Sequence, residues 1–139
     1  MPRPINGHGL LKQLIQTYYI YLGWEEKPMD LIIETVKRGT AVVLTVKGRL
    51  DAATAPEFEK ACDSLIAGGD ITLIADLGQL EYISSAGLRS ILAAAKKLKA
   101  LQGQIKFCNL SGMVKEVFNI SGFTSMFSSY ETVDEALAP

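Results

Sequence analysis

Two adjacent serines, Ser84 and Ser85 in "EYISSAGLRS", are the side chains with the clearest chemical potential in this chain. They precede an Ala-Gly pair, Ala86–Gly87, and follow an apolar run of strand length. Hydroxyls at the mouth of a helix do one of two things. They cap it by accepting a hydrogen bond from a free backbone N–H, a contribution of ~1 kcal/mol over alanine. Or they carry a phosphate, which the unpaired N–H groups and the helix dipole stabilise. Either serine suits the cap from spacing alone. If Ser85 is the cap, Ser85→Ala removes it and Ser84→Ala does little. Phosphorylation would add a charge of roughly −1.5 to −2 without melting the helix, so the fold would persist while the surface changed sign.

Other chemistries find little support. His8 is the one histidine, so a Ser-His-Asp triad has no base. There is no GxGxxG and no GxxxxGK[ST]. No His, Cys, Asp and Glu cluster has metal-ligand spacing. Cys62 and Cys108 lie far apart inside apolar patterns and read as reduced core thiols of a cytoplasmic protein. A net charge of −1 without a block of like charges gives no case for nucleic acid. The expectation is therefore a non-enzyme with no cofactor. Asp51 and Asp76 stand out among the carboxylates because each ends an apolar stretch, where α/β folds gather functional loops.

The elements that must position these groups follow from hydrophobic periodicity. With 139 residues, 48% hydrophobic and 21% charged, the chain is long enough for one core. "DLIIETVKRGTAVVLTVKG" reads as a hairpin, Leu31–Val36 and Ala41–Lys47, turning at Gly39. Thr54 and Glu57 have capping-box spacing with Pro56 in the first turn, and Phe58, Ala61, Cys62, Leu65 and Ile66 recur at helical spacing before Gly68–Gly69. Residues 71–77 form a buried strand. Leu88, Ile91, Leu92, Ala95 and Leu98 define the helix behind the two serines, with lysines near its C-terminal end. Residues 104–110 are a strand, Ser111 opens a helix that Gly122 ends, "SMFSSY" is a short strand, and Thr132 caps a last helix. The alternation argues an α/β fold, a mixed, mostly parallel four- to five-stranded sheet with helices packed on it. Before it, "GLLKQLIQTYYIYLGW" carries an amphipathic helical stripe too short for a membrane span. Residues 1–28 thus read as an N-terminal extension, a possible homodimer contact, and 29–139 as the domain.

The segments "VKGRLDAATAPEFEKA" and "ITLIADLGQLEYISSAGLRSILAAAKKLKALQGQIKFCNLSGMVKEVFNISGF", in that order, resemble the STAS domain of anti-sigma factor antagonists. The resemblance runs from about Met29 to the C-terminus. It rests on the G-x-L-D element Gly48–Asp51 and on the strand-loop-Ser-x-Gly-Leu-helix element Asp76–Leu88. In the family motif Asp-Ser-[Ser/Thr]-Gly-Leu the serine after the acid is phosphorylated. Here Ser84 takes the Asp place, Ser85 the phosphoserine place, with Ser84 as runner-up, Ala86 the Ser/Thr place and Gly87 the glycine. Arg89 stands where glycine is common, and could hold a phosphate or an acidic partner.

The resemblance implies partner switching. The unphosphorylated antagonist binds an anti-sigma factor that is also a serine/threonine kinase, phosphorylation releases it, and a PP2C-type, metal-dependent phosphatase resets it. The implied docking surface is the Gly48–Thr54 loop with Asp51, the Ser84–Arg89 corner and the exposed face of the following helix, Asp51 and Asp76 flanking the serine. The alternative is a STAS scaffold or subunit of a lipid-transport or stress-signalling complex whose serine is never phosphorylated.

Overall fold

The computed structural model describes residues 30–139 and, before them, Leu14 and Thr17. The amphipathic stripe and the dimer contact expected of residues 1–28 lie outside the described residues. Strand β1 (Leu31–Arg38) turns at Gly39, whose φ of +64° suits a residue without a Cβ, into antiparallel β2 (Ala41–Leu50). Both strands run past the ends their β-branched cores suggest. Helix α1 (Ala55–Ala67) leads to β3 (Thr72–Asp76), then β4 (Leu80–Ile83), helix α2 (Ser85–Ala100) and β5 (Gln104–Cys108). Helix α3 (Gly112–Ser121) ends at left-handed Gly122, φ +84°, and is followed by α4 (Phe123–Met126), β6 (Ser129–Tyr130) and α5 (Val133–Leu137).

The sheet order is β1-β2-β3-β5-β6, antiparallel only between β1 and β2. The α/β fold and the mixed, mostly parallel sheet are as expected, with one correction: six strands form it among the described residues, not four or five. The addition is β4, which the sequence reads as loop because four residues are too few to show a period. β2 is long enough to serve two partners. Its first half pairs with β3, Val42↔Leu73 to Thr45↔Asp76, and its last residues pair with β4, Gly48↔Leu80 and Leu50↔Ile83. The register shifts between Gly48 and Arg49, where Gly48 has a φ of +102°.

Strand alternation divides the interior in two. Val42, Leu44, Val46, Leu73, Ala75, Ile105 and Phe107 face helices α1 to α4, meeting Phe58, Ile91, Leu98, Val114 and Phe118. Ala41, Val43, Ile74 and Cys108 face the other way, toward Ala136 of α5. Phe107, Phe118, Phe123 and Phe127 close a ring of edge-on contacts with centroids 5.2–5.3 Å apart. Cys62 lies in the first cluster and Cys108 in the second, so the sheet separates the two free thiols. Burial pushes both up to about 12, with the charges of Asp63 on Cys62 and Asp76 on Cys108 adding to it.

Candidate functional site

β2 and β4 end side by side, and the two loops that leave them build one corner. On the β2 side, Asp51 Oδ1 accepts from the N–H groups of Ala53, at 3.0 Å, and Thr54, at 3.2 Å, folding the loop on its own carboxylate. Thr54 is buried. Its hydroxyl donates to the carbonyl of Arg49 at 2.8 Å and accepts from Asp51 N–H at 3.0 Å. The expected capping box is therefore absent on the Thr54 side. Thr54 precedes α1, but with φ −104° and ψ −15° its side chain straps the loop and accepts from no N–H of the helix.

On the β4 side, the two serines separate. Ser84 is extended, φ −102° and ψ 175°, and its Oγ accepts from Gly87 N–H at 3.3 Å, so Ser84 is the cap of α2. Its own N–H donates to the Leu50 carbonyl at 3.0 Å, tying the two loops together. Of the two serines that spacing leaves open, the cap is therefore Ser84 and not Ser85. Ser85 is the first helical residue, exposed, and its hydroxyl makes no hydrogen bond among the described residues. Ala86 is half-buried behind it. Gly87 is buried because the corner leaves no room: a Cβ there would lie 2.5 Å from the Leu50 carbonyl oxygen and 2.9 Å from Ile83 Cγ1. Arg89 is exposed four residues after Ser85, the spacing at which helical side chains are neighbours. No acidic residue occupies the first turn of α2.

The Leu50–Ser84 link thus ties the loop of Asp51 and Thr54 to the helix start that carries Ser85, Ala86, Gly87 and Arg89, while Gly48 pairs with Leu80 at the other end of β4. Asp76 does not join them, and the expectation that it flanks the serine is corrected. It shares the parity of Ile74 and so projects from the opposite face of the sheet to α2. There its Oδ1 accepts from Gly78 N–H and Asn109 Nδ2, both at 3.0 Å. Arg49 falls within the expected Gly48–Thr54 loop, but its partner Tyr82 escapes sequence reasoning. The Arg49 guanidinium lies over the Tyr82 ring, 4.1 Å from its centroid, with Nε 3.9 Å from Asp51 Oδ2. Their pairing becomes visible only with β4, whose register sets Arg49 beside Tyr82. Among the described residues no cluster of His, Cys, Asp or Glu could hold a metal ion, and no helix is long and apolar enough to cross a membrane.

β4 thus delivers the cap residue Ser84 and its neighbour Ser85 beside the G-x-L-D loop. The STAS domain model matches residues 33–136, and the chain belongs to that family. It is 38% identical to BtrV of Bordetella bronchiseptica over 97 residues, 70% of this chain and 84% of the relative. It is 30% identical to the anti-sigma-B factor antagonist of Listeria monocytogenes over 99 residues, 70% of this chain and 87% of that one. Among solved structures it resembles the Bacillus cell fate determinant SpoIIAA in its phosphorylated form. The TM-score is 0.60 and the identity 26%, covering 78% of this chain and 96% of that one.

Proposed function

We propose that the chain is an anti-sigma factor antagonist that works by partner switching, with Ser85 as the modified residue. The observation that carries this reading is the asymmetry of the serine pair. Ser84 is committed to the helix cap, while Ser85 presents an exposed hydroxyl with no hydrogen-bond partner among the described residues at a helix N-terminus. The anti-sigma factor of this reading is a serine/threonine kinase. It docks on the corner of Gly48, Arg49, Asp51, Thr54, Ser84, Ala86, Gly87 and Arg89, now extended by Tyr82. It then transfers the terminal phosphoryl group of ATP to Ser85 Oγ, leaving ADP and releasing the hydroxyl proton.

The new dianion sits where the first-turn N–H groups and Arg89 favour it within the chain, so the helix survives. The partner, shaped for a neutral hydroxyl, meets an uncompensated charge and dissociates. Ser85 is a substrate residue on this reading and the chain has no catalysis of its own. A PP2C-type phosphatase resets it, the setting is the cytoplasm, and residues 29–139 form the working domain.

Peptide-level mass spectrometry of the protein from its own cells, with and without phosphatase, tests the site. A phosphate on Ser85 is expected. A phosphate on Ser84 alone would move the site by one residue. A serine unmodified under several growth conditions would make the chain a constitutive scaffold instead. With the kinase in hand, calorimetry should find Ser85→Ala bound as tightly as the unmodified protein and Ser85→Glu weakened by roughly tenfold or more. Wild-type binding by both variants would end the switch reading.

A further inference from the structure

Leu92 and Ala95 of helix α2 pack in part against the core and turn the rest of their surface to a groove. Ile91, Ala94 and Leu98 face the core, whereas Leu92, Ala95, Lys96 and Lys99, spaced three and four apart, line a groove of about 430 Å³. Gln104 and Ile105 at the start of β5 form its floor, and Met126 and Phe127 its far wall. Leu92, Ala95 and Phe127 are only half-buried and Met126 is 60% exposed, so the groove offers apolar surface with no covering element among the described residues. Its charged lining is of one sign. Lys97, on the neighbouring face, is neutralised by Asp63 of α1 at 2.7 Å. Lys96 and Lys99 make no ion pair among the described residues, and no carboxylate lines the groove.

We propose that this groove is a docking site for an acidic amphipathic segment of a partner protein. One or two apolar side chains of the segment enter between α2 and α4, and its carboxylates meet Lys96 and Lys99. The volume suits side chains of that number, and the flexible Met126 wall can adapt to their shape. Charge complementarity selects the occupant: an apolar floor alone accepts any greasy segment, while two unpaired ammonium groups on its rim favour acidic ones and repel basic ones. Ser85 lies at the far end of the same helix, about three turns away. Occupancy of the groove therefore needs no phosphate, and it would hold a partner whether or not the serine corner is engaged.

The test pans a phage-displayed random peptide library on the whole chain, with the Lys96→Glu/Lys99→Glu variant as parallel bait. Both lysines are exposed, so the variant retains the fold, which circular dichroism verifies. The expected clones pair aliphatic or aromatic residues with Asp or Glu and lose roughly tenfold or more in affinity for the variant. The matching synthetic peptides should shift the amide resonances of Leu92, Ala95, Lys96, Lys99, Gln104 and Phe127 in nitrogen-15 spectra. Clones without acidic residues, equal binding to the variant, shifts mapping elsewhere, or no enrichment would overturn the proposal. So would lysine-dependent binding to phosphatidylglycerol vesicles without peptide binding, which would assign the groove to a lipid surface. None of these outcomes depends on phosphorylation, so the test is separate from that of Ser85.

Discussion

Replacing Ser84 by alanine removes the acceptor of the Gly87 N–H, and urea unfolding should show a loss of about 1 kcal/mol. Ser85→Ala, at an exposed position with no hydrogen bond to the described residues, should fall within about 0.5 kcal/mol of wild type in the same experiment. A larger loss for Ser85 than for Ser84 would reverse the assignment of the cap. Gly87→Ala meets a backbone oxygen that cannot swing aside, so it should cost about 1–3 kcal/mol and displace the Ser85 turn. The sequence places two hydroxyls at a helix start but leaves them equivalent. What distinguishes them is the Leu50 carbonyl, a long-range neighbour that fixes Ser84 and crowds Gly87. Thr54 teaches the same lesson: its capping-box spacing is genuine, yet Arg49 and Asp51 offer its hydroxyl better partners nearby.

At the scale of elements, legibility followed length and amphipathicity. The sixteen-residue α2 is announced by Leu88, Ile91, Leu92, Ala95 and Leu98, and Thr132 caps α5 as expected, accepting from Glu135 N–H at 3.1 Å. Four-residue β4 and four-residue α4 are silent, because β4 spans only two repeats of its period and α4 barely one, and each is held by tertiary packing. The cost is concentrated, since β4 sets the register of the corner and α4 supplies a wall of the groove. The four-phenylalanine ring is equally hidden, its members coming from β5, α3, α4 and the turn after α4. Phe118, buried and touching two of the other rings, joins α3 to this cluster. Phe118→Ala should cost about 3–5 kcal/mol by urea unfolding. A loss below 1 kcal/mol would mean that α3 is held some other way.

For the whole molecule, the two-faced interior was readable as an α/β pattern, whereas the side of the sheet taken by each chemically interesting group was not. Asp76 and Cys108 went to the α5 side, Cys62 to the other. Both thiols are raised from an ordinary 9.0 to about 12, so their protonated burial favours the folded state fully below pH 9. Above it the unfolded chain gains by ionising first, and stability should decline between pH 9 and 12. A Cys62→Ala/Cys108→Ala variant should decline less steeply across that window, as read from urea midpoints. Equal slopes would remove the thiols as the cause. Both core clusters draw their described members from residues 31–137. The forked strand β2 has one more consequence, in time. The Leu50–Ser84 link joins positions separated by roughly thirty residues of chain, and such closures form late because loop entropy opposes them. On a ribosome, the first half of the corner emerges well before the second. A partner that reads both halves at once would find its surface only after the β4 side had emerged and closed on β2.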